Sequence, residues 1–310
     1  MNYFIDLEFL EGPQRYRKSF WEALLATKKY TESTIDLISI GIVCEDGREY
    51  YAISKDFNLR EAWNRYDLKK SDYHPNGMEP SPIIKEYWIR ENVLKPIFNE
   101  LVQKWALEED KANQISCTTG YNPPIKFNYA SLKKLIDKYG KTNKQIAEDI
   151  KSFTKCIQPL DIKFKEVREN YRVFEYTFLG DNKPTEWFIN KNVPECDINN
   201  TIINYYNHCK PEDIKFYGYY SDYDWVVFCW LFGKMIDLPK GFPMYCVDLK
   251  QTLDEKAKAI YNTPTSYCSY NSPQDKLVKH VRYPKQTNEH NALSDARWNF
   301  ELYKFLNELY

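Results

Sequence analysis

Short apolar and alternating stretches near the start of the chain are typical of β-strands. Residues 4–9 (Phe-Ile-Asp-Leu-Glu-Phe) predict a first strand, and residues 35–43 predict a second. The Asp46-Gly47 pair predicts a tight turn, after which residues 48–57 alternate as a returning strand. We therefore expect an antiparallel meander that begins with residues 4–9.

Apolar residues recur at helical spacing in the next part of the chain. A Ser-Pro pair at residues 81–82 predicts the start of a helix that Pro96 interrupts or kinks. Residues 130–139 predict a second helix, and residues 142–145 (Thr-Asn-Lys-Gln) form a capping box that opens a third. Residues 107–128 are polar and rich in turn formers, so we expect irregular structure there.

The C-terminal third contains strands and helices of the same kind. Residues 215–220 predict a strand, and the apolar run at residues 225–232 predicts a helix that ends at Gly233. Residues 244–249 predict a last buried strand. Residues 293–306 predict a long helix with one apolar stripe.

Residues 157–212 break this pattern. Residues 171–179 and 186–189 flank a turn at residues 180–184 (Gly-Asp-Asn-Lys-Pro), which predicts a β-hairpin. We find no catalytic constellation in this segment. Because the earlier kinds of strand and helix resume after it, we interpret it as an insertion and not as a second domain.

Composition narrows the class of protein. The chain has 310 residues, a net charge of −1 and 43% hydrophobic residues, which indicates a globular protein with a substantial core. It contains 10 glycines and no Gly-rich phosphate-binding motif. A net charge near zero argues against a protein that coats long nucleic acids by electrostatics alone.

The cysteines and the apolar runs bear on localisation. The chain has 8 cysteines but no CxxC pair, so their spacing is not that of a zinc site. We see no signal-peptide pattern, and the longest apolar run is too short to span a bilayer. We expect a cytoplasmic protein with reduced thiols and no membrane partner.

Candidate chemistry begins with Asp6 and Glu8 on the first predicted strand. Side chains alternate along a strand, so these two carboxylates point the same way, with Cα atoms about 6.5–7 Å apart. Two like charges on one face repel each other and are costly to bury, and a divalent cation between them removes both costs. A solvent-facing edge strand explains a lone Asp-x-Glu without any cation, so the other carboxylates decide.

Further candidates lie at the starts of two later helices. Asp222 and Asp224 follow the strand at residues 215–220, and helix capping explains one of them but not both. If both are helical they lie about 200° apart, so only one can face a shared site. His290 and Asp295 flank the start of the last helix, where the helix dipole favours a carboxylate. Taken alone, each of these residues has an ordinary local explanation.

Together, and in this order, the motifs resemble those of the DEDDh superfamily of 3′–5′ exonucleases. Asp6 and Glu8 match its first motif, and Asp224 matches the second. His290 and Asp295 match the third, since residues 290–295 fit His-x-Ala-x-x-Asp. Asp222 is the residue that would replace Asp224 if the second motif were assigned differently.

Within that superfamily, the chain looks like ribonuclease AS, a family of bacterial exoribonucleases. The residues that carry this resemblance are 3–9, 35–41, 46–52 and 221–233. It implies an α/β, ribonuclease H-like fold with helices flanking a mixed β-sheet, as a single DEDDh exonuclease domain over residues 1–310. Residues 157–212 are then an inserted α+β region, and about 13–31 and 107–141 are smaller extra segments. The family also suggests an RNA substrate, a homodimer and a preference for adenylate.

The resemblance assigns four metal ligands: Asp6, Glu8, Asp224 and Asp295. Their oxygens suit Mg²⁺ or Mn²⁺ rather than zinc. Two such ions about 3.5–4 Å apart can clamp the attacking and leaving oxygens of a phosphodiester. His290 can accept the proton of the attacking water. The expected reaction releases nucleoside 5′-monophosphates from the 3′ end of single-stranded RNA.

Alternatives remain at this stage. The substrate could be DNA, because discrimination depends on contacts with the 2′-OH that a sequence does not locate. A non-catalytic nucleic-acid-binding module could share the fold, although no metal ligand is missing here. Arg15, Arg17 and Lys18 are candidate substrate-binding residues in a basic lip, for which a solvated loop is the alternative. The insertion could also bind a partner protein.

Overall fold

The structure, a computed structural model, describes residues 1–15, 30–70, 83–116, 125–154, 161–177, 185–192, 194, 214–261 and 272–309. In chain order the strands are β1 (Asn2–Arg15), β2 (Tyr30–Cys44), β3 (Glu49–Ile53), β4 (Asp67–Lys70), β5 (Ile83–Glu86), β6 (Asp161–Arg168), β7 (Tyr171–Thr177), β8 (Thr185–Asn190), β9 (Lys215–Gly218) and β10 (Val247–Asp248). The helices are α1 (Leu59–Asn64), α2 (Lys95–Ser116), α3 (Tyr129–Tyr139), α4 (Asn143–Thr154), α5 (Asp222–Phe232), α6 (Leu249–Tyr261), α7 (Pro273–Val278) and α8 (Ala292–Glu308).

The main sheet is mixed, with the strand order β10-β9-β1-β2-β3. The meander β1-β2-β3 is antiparallel, as the sequence predicts, and Asp46-Gly47 forms the predicted turn. Strand β9 runs parallel to β1 but pairs only with Asn2, Tyr3 and Phe4. Beyond Phe4 the two strands diverge, so one edge of β1 loses its backbone partners at the point where the candidate carboxylates begin.

Helices cover both faces of this sheet, which confirms the predicted mixed sheet with flanking helices. Odd-numbered residues of β1, such as Ile5 and Leu7, pack in a core with α4 and α5. Phe4 points to the other face, where it packs against Ala296 of α8. The side chains of Phe4, Ile5 and Leu7 are almost fully buried, and the burial of each contributes about 1.5–3 kcal/mol. The alternation that buries Phe4 also turns Asp6 and Glu8 toward α8.

The region before α2 differs from the prediction. Ile83–Glu86 forms strand β5, which pairs with β4, so a helix starting at residues 81–82 is wrong. Cross-strand pairing decides the conformation here, because a strand partner outweighs a local start signal. The helical segment begins after β5, and a π-helical turn at Arg90–Leu94 precedes Pro96. A π-helical turn is wider than an α-helical turn, so it can accommodate a proline that has no N–H to donate. Helix α2 therefore continues through Pro96.

Two segments expected to be irregular are partly regular. Helix α2 runs to Ser116, so the start of residues 107–128 is helical and not turn-rich. Strand β1 extends to Arg15, and strand β2 begins at Tyr30. The two ends of the 13–31 segment therefore belong to a lengthened β1–β2 hairpin. Arg17, Lys18 and the side chain of Arg15 lie outside the described residues, and so does any basic lip that they form.

The 157–212 segment contains a separate antiparallel sheet with the order β6-β7-β8. The predicted hairpin is the β7–β8 pair, and β6 is an additional strand that the sequence analysis missed. The turn at residues 180–184 lies outside the described residues. Among the helices that the structure describes, none is both long and apolar enough to cross a membrane.

Candidate active site

The candidate site lies where β1 separates from β9. The free edge of β1 is satisfied by side chains from two helices. The Leu7 N–H donates to Asp224 Oδ1 of α5 at 2.7 Å, and the Ile5 carbonyl accepts from Asn299 Nδ2 of α8 at 2.9 Å. These two hydrogen bonds flank Asp6 along the strand. They replace the lost strand pairing and fix the backbone that carries Asp6 and Glu8.

Three carboxylates from two elements meet at this edge. One oxygen each of Asp6, Glu8 and Asp295 lies within 4.8 Å of the other two. A cation about 2.1 Å from its ligands needs opposite oxygens about 4.2 Å apart, so small side-chain adjustments would let one ion contact all three. Carboxylate oxygens are the ligands that hard divalent cations prefer. These residues therefore fit a metal ion of that class.

A glycine allows α8 to bring Asp295 this close to β1. Gly41 of β2 lies directly opposite Asp6 in the sheet. A Cβ atom at Gly41 would overlap the backbone carbonyl of Ala292, the first residue of α8. Any larger residue must push the start of α8 away from the sheet. The helix begins with an ordinary N-cap, since Asn291 Oδ1 accepts from the Ser294 N–H at 3.0 Å.

Asp295 is held at both of its oxygens. Oδ2 accepts from the backbone N–H of His290 at 2.8 Å, and Oδ1 accepts from Gln286 Nε2 at 2.6 Å. His290 adopts a positive φ of 64°, a conformation that costs about 1 kcal/mol or more for a residue with a Cβ. The left-handed turn at His290 therefore aims its N–H at Asp295, so the two residues are linked through the backbone.

The His290 ring packs against an aromatic side chain beside the site. Its centroid lies 4.8 Å from that of Trp88, in an edge-to-face arrangement with an interplanar angle of 73°. The ring remains partly exposed, so water and a ligand can reach it. Trp88 stands at the entry to the helical segment, between β5 and the π-helical turn.

The structure separates the two aspartates at the start of α5. Ser221 is the N-cap, and Asp222 and Asp224 both lie in the first helical turn, so neither is the cap. Asp224 is only 8% exposed and bonds to β1, whereas Asp222 faces solvent. Asp224 lies near the cluster, since its charge raises the pKa of both Asp6 and Glu8. It is not within the 4.8 Å group of the other three.

Burial raises the pKa of every carboxyl in the site, and repulsion from neighbouring carboxylates adds to the rise for Asp6 and Glu8. Burial is the main cause for Asp6, whose pKa lies well above its ordinary value, and the charge of Asp224 adds to it. Burial and the charge of Asp295 raise the pKa of Glu8 to about 8. Burial raises the pKa of Asp224 to about 7, although the hydrogen bond from Leu7 acts in the opposite direction. Without a cation, the ionised cluster is therefore unfavourable near neutral pH.

Several residues that position the carboxylates escaped the sequence analysis. Asn299 lies one helical turn after Asp295, so the helical spacing of a polar residue in an apolar stripe was an available signal. Gln286 lies in the irregular segment before α8, where no periodicity marks it. Gly41 looked like an ordinary strand residue. Glu100 of α2 accepts from Asn291 Nδ2 at 3.3 Å, a contact between segments far apart in sequence.

Comparison with known proteins supports a nuclease relationship over one region. 3′-5′ exoribonuclease Rv2179c of Mycobacterium tuberculosis (strain ATCC 25618 / H37Rv) is 42% identical over 62 residues, which cover 20% of this chain and 26% of that protein. The same values hold for 3′-5′ exoribonuclease MT2234.1 of strain CDC 1551 / Oshkosh. The similarity therefore spans about a quarter of these relatives. No family model matches the chain.

Proposed function

We propose that this protein is a metal-dependent 3′–5′ exoribonuclease of the DEDDh type, built on a ribonuclease H-like fold. The observation that carries the proposal is the convergence of Asp6, Glu8 and Asp295 at the edge where β1 leaves β9. Asp224 supports the same edge from α5. The regional similarity to two named exoribonucleases favours this chemistry over other uses of an acidic cluster.

In this proposal Asp6, Glu8, Asp224 and Asp295 would hold two divalent ions, Mg²⁺ or Mn²⁺. The raised pKa values support such a role, because cations offset the repulsion that otherwise keeps these groups protonated. When bound, the ions supply an activated water and charge stabilisation at the leaving 3′-oxygen. The site residues orient that chemistry through the hydrogen bonds that fix β1 and Asp295.

His290 is the proposed general base. Its ring is partly exposed beside the cluster, and its backbone is tied to Asp295. The ring accepts the proton of the attacking water while a new phosphorus–oxygen bond forms and the bond to the 3′-oxygen breaks. The leaving oxygen takes a proton from solvent, and the product is a nucleoside 5′-monophosphate. General-base assistance of this kind contributes about 10²–10⁴-fold in rate.

The proposed substrate is the 3′ end of single-stranded RNA. The assignment of RNA rests on the printed names of the two relatives. A matched DNA oligomer separates this proposal from a DNA exonuclease. Binding without hydrolysis of either oligomer would instead indicate a non-catalytic module.

Paired substitutions in purified protein test the catalytic site. Chromatography of the products should show that Asp295→Asn lowers release of nucleoside monophosphates by at least about 10²-fold, the scale for removing one electrostatic stabiliser. Asp222→Asn is the matched control, because Asp222 is an exposed aspartate near the same edge, and it should keep wild-type activity. His290→Ala should slow hydrolysis while metal binding measured by calorimetry stays nearly unchanged.

Three results would contradict this account. Full activity in Asp295→Asn would exclude the metal role of the cluster. Full activity in His290→Ala would remove His290 as the base. An equal loss of activity in the Asp222→Asn control, with an intact fold by circular dichroism, would show that the second motif is Asp222 and not Asp224.

A further inference from the structure

An open groove extends from the carboxylate cluster along the lengthened β1–β2 hairpin. It begins at Glu8 and continues past Glu11, with walls from the hairpin, from the start of β4 and from α5. Its volume is about 790 Å³. Small-molecule pockets commonly have volumes of about 300–1,000 Å³, so the groove has room for at least one nucleotide.

Exposed aromatic side chains form part of the groove. Tyr223 and Trp230 of α5 are 55% and 54% exposed, although both carry large apolar rings. Tyr223 is oriented by Phe9 of β1, with ring centroids 6.2 Å apart and an interplanar angle of 72°. Trp88 lines the groove nearest to His290. Ring faces left open to solvent in this way are suited to stacking with planar ligands.

The charged residues of the groove do not favour phosphate. Glu8, Glu11 and Asp67 contribute acidic side chains to its lining. Arg65 is the only basic residue among the described lining residues, and its guanidinium is used inside the protein. It donates to the carbonyl of Glu11 and, at 3.1 Å, to the carbonyl of Pro13. These bonds tie the hairpin to the end of α1, so Arg65 acts as a structural brace.

We infer that this groove binds the unpaired bases of a single-stranded nucleic acid by stacking, and that it contributes little direct charge neutralisation of the phosphates. The inference rests on the proposed function, because the groove is continuous with the carboxylates through Glu8. A base offers a neutral planar surface to Tyr223 and Trp230, whereas an acidic wall repels a phosphate. The groove therefore selects unpaired ends and tolerates different base sequences.

Two measurable properties follow from stacking without phosphate neutralisation. The contribution of the groove to affinity should depend weakly on salt, because each neutralised phosphate adds about −0.7 to the slope of log K against log salt. Replacing Tyr223 or Trp230 with alanine should therefore lower affinity and leave that slope unchanged. Removing bases from the oligomer should weaken binding strongly, since each stacked base is worth roughly 5- to 150-fold in affinity.

Binding can be measured with the full chain while turnover is suppressed. The probe is a fluorescent six-nucleotide single-stranded RNA, compared with the same oligomer carrying abasic sites at its two 3′-terminal positions, in Ca²⁺ and at several KCl concentrations. Tyr223→Ala and Trp230→Ala should each weaken binding of the intact RNA at least about fivefold and leave the abasic oligomer unaffected. The matched control is Tyr245→Ala, since Tyr245 is 66% exposed but lies outside the groove.

Each outcome addresses either the groove or the enzyme. Equal affinity for intact and abasic oligomers, or a salt slope that becomes shallower by about 0.7 or more in Tyr223→Ala or Trp230→Ala, would overturn stacking in the groove even if the protein hydrolyses RNA in Mg²⁺. Unchanged binding in both α5 variants would overturn it as well. Base-dependent binding that is lost in Trp230→Ala would support the groove, even if hydrolysis is absent and the proposed enzyme is refuted.

Discussion

Replacing Asp224 with asparagine should stabilise the metal-free protein while abolishing its activity. Burial raises the pKa of Asp224 from 3.8 to about 7. Because the folded-state pKa lies above the unfolded value, the folded protein holds this proton more tightly. Stability is therefore lost as pH rises from about 4 to about 7, and the full loss persists above pH 7. Asparagine has no charge to desolvate, and its Oδ1 can still accept the Leu7 N–H.

The magnitude follows from the size of that shift. A shift of about three pKa units at 1.36 kcal/mol each places an upper bound of roughly 4 kcal/mol on the stabilisation at pH 8. Between pH 5 and pH 8 the advantage of Asp224→Asn should grow by up to about 3 kcal/mol.

Urea unfolding in EDTA at pH 5 and pH 8 provides the assay. Asp222→Asn is the control, because it removes an exposed carboxylate from the same helical turn, and the effect of Asp224→Asn is measured relative to it at each pH. A stability difference between Asp224→Asn and wild type that is the same at both pH values would refute the account of the cluster. So would retained hydrolysis in Asp224→Asn.

Three further predictions concern the metal and the residues that position the site. At pH 8, Mn²⁺ or Mg²⁺ at a hundred times its dissociation constant should stabilise the wild-type protein by about 2.7 kcal/mol in thermal unfolding. The stabilisation should be much smaller at pH 5, because the carboxyls are protonated there. Equal stabilisation at both pH values would count against the cluster as the metal site. Gly41→Ala should destabilise the protein by about 1–3 kcal/mol through overlap with the Ala292 carbonyl, and it should lower kcat. Gly47→Asn in the β2–β3 turn is the control and should change neither quantity. Urea unfolding and steady-state kinetics compare the two variants, and full activity in Gly41→Ala would contradict the role of Gly41. Asn299→Ala removes the side-chain donor to the Ile5 carbonyl, so we expect a loss of about 1–3 kcal/mol in urea unfolding. It should also lower kcat with little change in KM. A rise in KM alone would instead assign Asn299 to substrate binding.

The antiparallel meander of the main sheet was predictable because its strands are marked by strong local patterns. The predicted buried strand at residues 244–249 was wrong in extent, since β10 contains only Val247 and Asp248 and Tyr245 is exposed. Asp46-Gly47 specifies a turn between two apolar runs, and the structure forms the expected meander. The Asp-x-Glu spacing placed Asp6 and Glu8 on one face from the period of a strand alone. The last helix was predicted from its apolar stripe over residues 293–306, and Asp295 lies in its first turn as expected.

The wrong prediction at residues 81–86 and the points that the sequence left open arose where a distant partner decides the structure. Ile83–Glu86 is a strand because β4 pairs with it, and no pattern within those residues shows this. The choice between Asp222 and Asp224 depended on which side of α5 faces β1, which only the packing of that helix reveals. Gly41 and Asn299 act through contacts across more than 200 residues of sequence. Gly41 has no local signal for its role, and the local signal for Asn299 is limited to its position one helical turn after Asp295.

The proposed function requires the carboxylate cluster to hydrolyse RNA from its 3′ end with the help of divalent metal. The decisive experiment is a time course with a 5′-labelled single-stranded RNA and its DNA counterpart, in Mg²⁺, Mn²⁺ or EDTA. We expect a ladder of RNA products that shorten from the 3′ end, which disappears in EDTA and which the Asp295→Asn variant does not produce. Intact RNA in the presence of either metal, or a ladder that persists in EDTA, would refute the proposed function.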